Sequence, residues 1–386
     1  MRFLFLLFFL LYLISGCSVE KKIEVSVQPA ADSSTFSYIY PEPYIVKDSV
    51  LDAKADFFAG IAYVDSVSDS EKQRSWDKFK RQMDQSWSRV ERQRLEAIES
   101  WRISEFAPVT KDSISVFYPF GGPDFLHAQA FYPHANEFIL VGLEPIRELP
   151  DVTSFTESNQ SAFLDTLSRA LRDILFKSYF ITEHMQRDFK TINGVLPVFF
   201  FFIKRSGNEL MGLNYFTLDS TGQEVPVPMT NLYDDPIRGV RISFRNQQGG
   251  PLRNVYYFNI DLSDKNMTNR PEFLRFIRSR NSYNTFIKSA SYLMHYPEFS
   301  KVRDELLNGS ASIFQDDTGV PFRYISASRF ISSFYGEYEA PVRDFNWLNK
   351  QESLDSAFQV SRKPMPFSIG YHWNSRRQHY MLFIKR

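Results

Sequence analysis

Val195-Leu196-Pro197-Val198-Phe199-Phe200-Phe201-Phe202-Ile203-Lys204-Arg205-Ser206-Gly207-Asn208-Glu209-Leu210-Met211-Gly212-Leu213-Asn214-Tyr215-Phe216-Thr217-Leu218 sets two apolar runs on either side of a Ser-Gly turn signal. Two such runs separated by a short glycine-containing break predict a β-hairpin, with arms over Val195 to Lys204 and Glu209 to Leu218. The uninterrupted Phe199 to Phe202 has no polar face, which implies a strand covered on both sides. Downstream, Gly239 to Arg245 and Asn254 to Asp261 read as a second strand pair joined across Gly249-Gly250-Pro251. Helical patterns follow at Pro271 to Arg280, Tyr283 to Met294 and Phe299 to Asn308, and short strands at Phe367 to Tyr371 and Tyr380 to Ile384.

Upstream, Phe163, Leu167, Leu171, Ile174, Ile181, Met185 and Phe189 form an apolar stripe that predicts one helix from Ser161 to Thr191. Asp112 to Pro150 reads as strand, Gly/Pro loop and strand. From Ser70 to Phe106, Trp76, Phe79, Met83, Trp87, Val90, Ala97, Ile98 and Trp101 recur at three- and four-residue spacings, giving a helix of roughly 50 Å at 1.5 Å per residue. Lys80 and Arg94 interrupt its near-heptad seam, which favours docking on the body over a coiled-coil stalk. Hairpins beside grouped helices make the expected class α+β, with an antiparallel or mixed sheet and one long N-terminal helix, in preference to a doubly wound parallel sheet. No internal repeat recurs at a fixed period.

Composition restricts the function classes. The 45 basic residues balance the 45 acidic ones. A neutral chain carries no electrostatic footprint for nucleic acid. The 38 Phe and 20 Tyr supply ample material for a core, while the single cysteine excludes disulfides within the chain and thiolate metal sites. Its length suits one large body over residues 51–386, or two intimately packed subdomains near 51–220 and 221–386.

That single cysteine occupies an informative place. Met1-Arg2 provides a positive charge, Phe3 to Ile14 is apolar, and Ile14-Ser15-Gly16-Cys17 follows. The arrangement resembles the bacterial lipobox that lipoprotein signal peptidase reads. The resemblance implies a signal peptide over 1–16, cleavage between Gly16 and Cys17, acylation of Cys17 and a lipidated tether over 17–50. The competing reading is an ordinary cleaved signal with a chance cysteine. The apolar run is shorter than the ~20 residues needed to span a bilayer, so a tether is expected in place of a membrane-spanning anchor. Each buried CH₂ contributes about 0.8 kcal/mol, and two or three acyl chains hold far more firmly than one. Ser18 stands where the inner-membrane retention signal of enteric bacteria has aspartate. The expectation is therefore a lipid-anchored protein of the bacterial cell envelope, at the outer membrane.

Chemistry is less legible. The chain has no G-x-S-x-G elbow, phosphate-binding G-x-x-x-x-G-K-[ST], dinucleotide G-x-G-x-x-G or H-E-x-x-H helix. Paired carboxylates remain, because they need only a suitable separation and environment. Two loop-like segments combine acids with turn residues: Gly121-Gly122-Pro123-Asp124 and Gln315-Asp316-Asp317-Thr318-Gly319. The blocks Tyr118 to Leu126, Gly142-Leu143-Glu144-Pro145 and Gln315 to Gly319 resemble segments of uncharacterised exported bacterial proteins; the resemblance implies kinship and no reaction.

Asp124, Asp316 and Asp317 are the catalytic candidates, each set against a turn-forming role. Asp124, His127 and His134 outline a metal cluster that Pro133 breaks, and no metal or cofactor is expected. Trp347, Tyr371 and Trp373 would make a sugar-stacking platform or core packing. The expected function is a structural, assembly or binding role outside the cytoplasm. The alternative is a carboxylate-dependent glycan or peptidoglycan hydrolase. The expected partners are membrane lipid through acylated Cys17 and an envelope protein or glycan.

Overall fold

The run Leu196–Arg205 folds as an α-helix, not as the first arm of a hairpin. Phe199, Phe200, Phe201 and Phe202 are all fully buried, so this helix is enclosed on every side. Pro197 sits in its first turn, where a missing N–H breaks no hydrogen bond. A short apolar run has no polar face, and periodicity alone does not separate a buried helix from a buried strand.

The structure is a computed structural model that describes residues 46–64, 70–109, 114–180, 182–234, 237–345, 347–375 and 377–386. The expected lipobox, Cys17 and all of the expected 17–50 tether up to residue 45 lie outside them. Ile45–Arg386 forms one compact unit. It begins with α1 (Ser49–Phe58), capped by the Asp48 carboxylate, which accepts from the Leu51 N–H at 2.9 Å. Residues 70–105 are helical throughout, as α2 (Ser70–Val90), a π-helical turn (Glu91–Leu95) and α3 (Glu96–Glu105). Trp76, Phe79, Met83, Trp87, Val90, Ile98 and Trp101 are buried, so the stripe docks on the body.

The next block contains an unexpected helix: β1 (Ser115–Tyr118), α4 (Phe125–Phe131) and β2 (Glu137–Gly142). With a helical crossover between them, β1 and β2 run parallel, Val116 beside Phe138 and Tyr118 beside Leu140. The single helix expected from Ser161 to Thr191 is divided into α5 (Glu157–Arg172), a second π-helical turn (Asp173–Lys177) and α6 (Thr182–Thr191). Ser178, left-handed at φ 65°, makes the break. The phenylalanine helix, α7 (Leu196–Arg205), then leads into β3 (Asn208–Leu218), β4 (Glu224–Pro226), β5 (Arg238–Asn246) and β6 (Arg253–Asn259).

After α8 (Asp264–Asn269) and α9 (Glu272–Arg278), the stretch expected as a helix from Tyr283 begins as strand β7 (Tyr283–Ile287). All five of its residues are buried. The remaining elements are α10 (Ser300–Gly309), β8 (Ser310–Gln315), β9 (Phe330–Gly336), α11 (Glu352–Ser361), β10 (Arg362–Lys363) and β11 (His379–Lys385). Phe367 to Tyr371 is not a strand; it runs into a 3-10 turn at Gly370–His372.

Eleven strands form one mixed sheet in the order β10-β9-β11-β8-β7-β1-β2-β6-β5-β3-β4, and with the helices this makes the fold α+β. Strands on either side of residues 220/221 pair within it, β2 with β6 and β1 with β7. The centre, β8-β7-β1-β2-β6, is parallel throughout. Antiparallel pairs flank it, β11 with β8 and β9 on one side and β5 with β6 and β3 on the other.

Side chains alternate between two cores. Val116, Tyr118, Phe138 and Leu140 face one helical layer with α4 and α7, whereas Phe117, Ile139 and Val141 face the layer containing α9 and α10. From β1 the chain steps outward to β2 and β6, then returns to place β7 on the other side of β1. This reversal leaves a crevice outside the carboxyl ends of β1 and β7, where open parallel sheets bind ligands. Among the described residues, no helix is long and apolar enough to cross a membrane.

Candidate functional site

The loops leaving the parallel strands enclose a cavity of about 270 Å³. Phe120, Gly121, Gly122 and Asp124 follow β1; Leu143 and Glu144 follow β2; Ile260, Asp261 and Leu262 follow β6; Lys288, Ser289, Ala290 and Ser291 follow β7. Phe180, Leu293 and Phe299 extend the apolar wall, and Tyr179 and Tyr371 add aromatic rings. Two of these loops are conformationally costly. Phe120 after β1, and Ser289, Ser291 and Tyr292 after β7, all have φ between 52° and 60°. Left-handed non-glycine residues persist where surrounding contacts over-determine them, and they gather at ligand sites. Gly121 is required by close approach, since a Cβ there would lie 2.7 Å from the Tyr118 ring.

Asp124 is the centre of the polar floor. It begins α4, accepting the His127 N–H on Oδ1, and the same oxygen accepts from His127 Nδ1 at 2.8 Å. Its other oxygen accepts from the Tyr118 hydroxyl at 3.0 Å and meets the Lys288 ammonium at 2.8 Å. Lys288 also donates to the Ser178 carbonyl, and the Ser178 hydroxyl accepts the Gly370 N–H at 2.6 Å. The break between α5 and α6 is thus fastened to β7 and to the turn before β11.

Asp124, His127 and Lys288 are all buried. Burial pushes the Asp124 carboxyl upward, but His127 and Lys288 overcome it and hold the group at about 2. Burial draws the Lys288 ammonium down from its ordinary value against the pull of Asp124. It also draws His127 down to about 4, leaving a neutral ring whose Nε2 is buried without a hydrogen-bond partner among the described residues.

The second acidic pair diverges. Asp316 turns toward the cavity wall, accepting the Ser289 N–H at 2.8 Å, the Thr318 N–H at 3.0 Å and the Thr318 hydroxyl. Burial and the neighbouring Asp317 carboxylate raise Asp316 to about 6. Asp317 points instead to His379, with Oδ1 and Nε2 2.9 Å apart, and accepts the Tyr292 hydroxyl at 2.7 Å. Lys288 meets Asp124 while the next residue, Ser289, donates its N–H to Asp316, so the two loops are neighbours. Only Asp124 of the three candidate acids lines the cavity. All three accept hydrogen bonds, and Asp316 with Thr318 forms the turn that the Thr-Gly sequence suggests. His134 is exposed and apart from Asp124 and His127.

Sequence reasoning missed Lys288, Ser289 and Glu144. Glu144 is fully buried, and Tyr257 donates to its Oε2 at 2.9 Å. With no cation paired to it among the described residues, burial pushes its carboxyl up. Its place in the Gly142-Leu143-Glu144-Pro145 block was a signal. For Lys288 there was none beyond a lone cation inside an apolar stretch. Of the aromatic trio, Tyr371 packs on Tyr179 at the cavity and, through Phe345, reaches Trp347, which is 64 % exposed. Trp373 pairs separately with Phe176.

Within its floor and walls the site offers an apolar chamber, a fixed ion pair, a protonation-prone acid and the Ser289 hydroxyl, which is buried without a hydrogen-bond partner among the described residues. Compared with known proteins, the chain matches no family model and no curated protein.

Proposed function

We propose that the chain is a lipid-anchored envelope protein whose body binds a small amphipathic molecule in the cavity at the carboxyl ends of the parallel strands. One observation carries this reading: a buried Lys288–Asp124 pair forms the floor of an apolar cavity at the strand reversal, between loops held in left-handed conformations. Buried ion pairs are poor sources of stability, and apolar pockets with a few convergent polar groups are the usual form of small-molecule sites. The apolar wall suits a hydrocarbon or ring body; Lys288, Ser289 and Glu144 suit a hydrogen-bonding head. Cys17 and the tether would display this site at the membrane surface.

A second reading has one specific support. Glu144 is pushed up and Asp124 held down in the same cavity, and carboxyls driven apart in this way divide acid and base roles in hydrolases. In that reading Glu144 is the acid.

The probe is 1-anilinonaphthalene-8-sulfonate, an apolar fluorophore with one anionic head. Its fluorescence should rise and saturate at one probe per folded chain. Leu143→Trp, at the exposed rim of the cavity, should weaken binding at least tenfold without lowering the melting temperature. Absence of saturable binding to the folded chain, or binding unchanged in the variant, would overturn the pocket assignment. Glu144→Gln separates the two readings once a natural ligand is known: retained binding with lost turnover identifies the hydrolase.

A further inference from the structure

We infer that Asp317, His372 and His379 form a divalent-metal site suited to Zn²⁺, on the side of the β8 loop that faces away from the cavity. The three come from separate segments: Asp317 is the second residue after β8, His379 opens β11, and His372 closes the 3-10 turn Gly370–His372. Their ligand atoms all lie within 4.8 Å of one another. Tetrahedral Zn²⁺ with bonds of about 2.0–2.2 Å needs donors roughly 3.3–3.5 Å apart, a distance reached by small side-chain rotations.

Hydrogen bonding decides between a metal and a plain ion pair. His379 Nδ1 lies 3.0 Å from the Arg377 carbonyl, which can only accept, so Nδ1 carries the hydrogen. The lone pair of Nε2 then faces the Asp317 carboxylate at 2.9 Å. Two acceptors at that distance require a positive species between them. A proton would satisfy these two groups but would leave His372 Nε2, which is buried without a hydrogen-bond partner among the described residues. A metal ion satisfies all three.

The surroundings have the form of a metal site. Tyr292 donates to the second Asp317 oxygen at 2.7 Å, and the Val342 N–H donates to the Tyr292 hydroxyl at 2.8 Å. The Arg377 carbonyl fixes the His379 ring. Such outer contacts orient ligands and tune the bound ion. Asp317 and His379 are fully buried, and His372 is the half-buried member through which an ion enters. Two imidazoles with one carboxylate suit Zn²⁺ over the oxygen-seeking Mg²⁺ and Ca²⁺.

The test starts from the full chain stripped with a chelator. Calorimetric titration with Zn²⁺ and elemental analysis after dialysis should find one ion per chain, and Co²⁺ in its place should give the visible d–d band of a tetrahedral site. His372→Ala, at the half-buried position, should weaken Zn²⁺ binding at least tenfold while leaving the metal-free melting curve unchanged. His184→Ala, an exposed histidine elsewhere, should bind as the unaltered chain does. No stoichiometric Zn²⁺ after dialysis, or undiminished binding by His372→Ala, would overturn the site in favour of a protonated His379–Asp317 pair. Equal competition by Mg²⁺ would overturn the donor assignment.

Discussion

His127 shows how a single buried ring makes the whole fold sensitive to acid. Its environment is set by Asp124 on the same turn, Lys288 from β7 and Arg94 from the first π-helical turn, and burial draws it from 6.5 to about 4. Between those values the unfolded chain takes up a proton that the folded chain refuses. Stability is therefore complete above about pH 6.5 and declines as pH falls toward 4. One pKa unit corresponds to ~1.4 kcal/mol, so this ring alone should withdraw about 2 kcal/mol by pH 5. Asp124, held at about 2, adds a further loss only below about pH 4. Urea unfolding at pH 7 and pH 5 should show the decline, and His127→Gln should flatten it; an equally steep dependence in the variant would assign the effect to other groups.

Among the elements, α7 carries the largest lesson. Phe201 packs against Trp87 and Phe202, with ring centroids 6.1 and 5.3 Å apart, and is fully buried. Phe201→Ala should therefore cost about 3–5 kcal/mol, read as a reduced urea midpoint with an unchanged slope. A loss below 1 kcal/mol would show that the surrounding helices collapse into the space. The same residue explains why α7 was illegible: four phenylalanines in succession satisfy the burial of a helix and of a two-sided strand equally. β7 failed for a related reason, because Tyr283, Phe286, Ile287, Ala290 and Met294 also fit helical spacing. Without β7 the β1-β7-β8 half of the parallel centre disappears, and Lys288 and Ser289 with it. By contrast β1, β2, β5 and β6 were readable from β-branched and aromatic runs bounded by Gly, Pro and Asn, and the loop at Asp124 from Gly-Gly-Pro. The acids at 316 and 317 were visible as a pair. That they face opposite ways depends on partners from β7 and β11, hundreds of atoms away along the chain.

At the scale of the whole molecule, the cavity draws its walls from segments as distant as Tyr118 and Tyr371, so the site exists only when the entire sheet is assembled. The proposed lipid anchor belongs to this scale too, since it would decide where that assembled body works. Cys17→Ala should leave an unprocessed, unmodified precursor, whereas the unaltered chain should begin at an acylated Cys17. Mass spectrometry of the envelope protein reads both, and a mature chain starting elsewhere would refute lipid attachment. The two π-helical turns have a further consequence. Arg94 in the first donates to the Leu175 and Phe176 carbonyls of the second, at 3.4 and 3.1 Å, so the two widened turns are clasped together. A π turn is geometrically an α-helix with one residue too many. Removing one residue from Glu91–Leu95 would rewind the coil to a plain α-helix and leave the buried faces on either side in register, because the wide turn only takes up the extra residue. Trp101 would keep its nest of Phe106, Phe314 and Tyr335 rings, while Arg94 would release its grip on the second turn. A single-codon deletion here would act as a cut fastening, sparing the packed face of the long helix and parting the two turns.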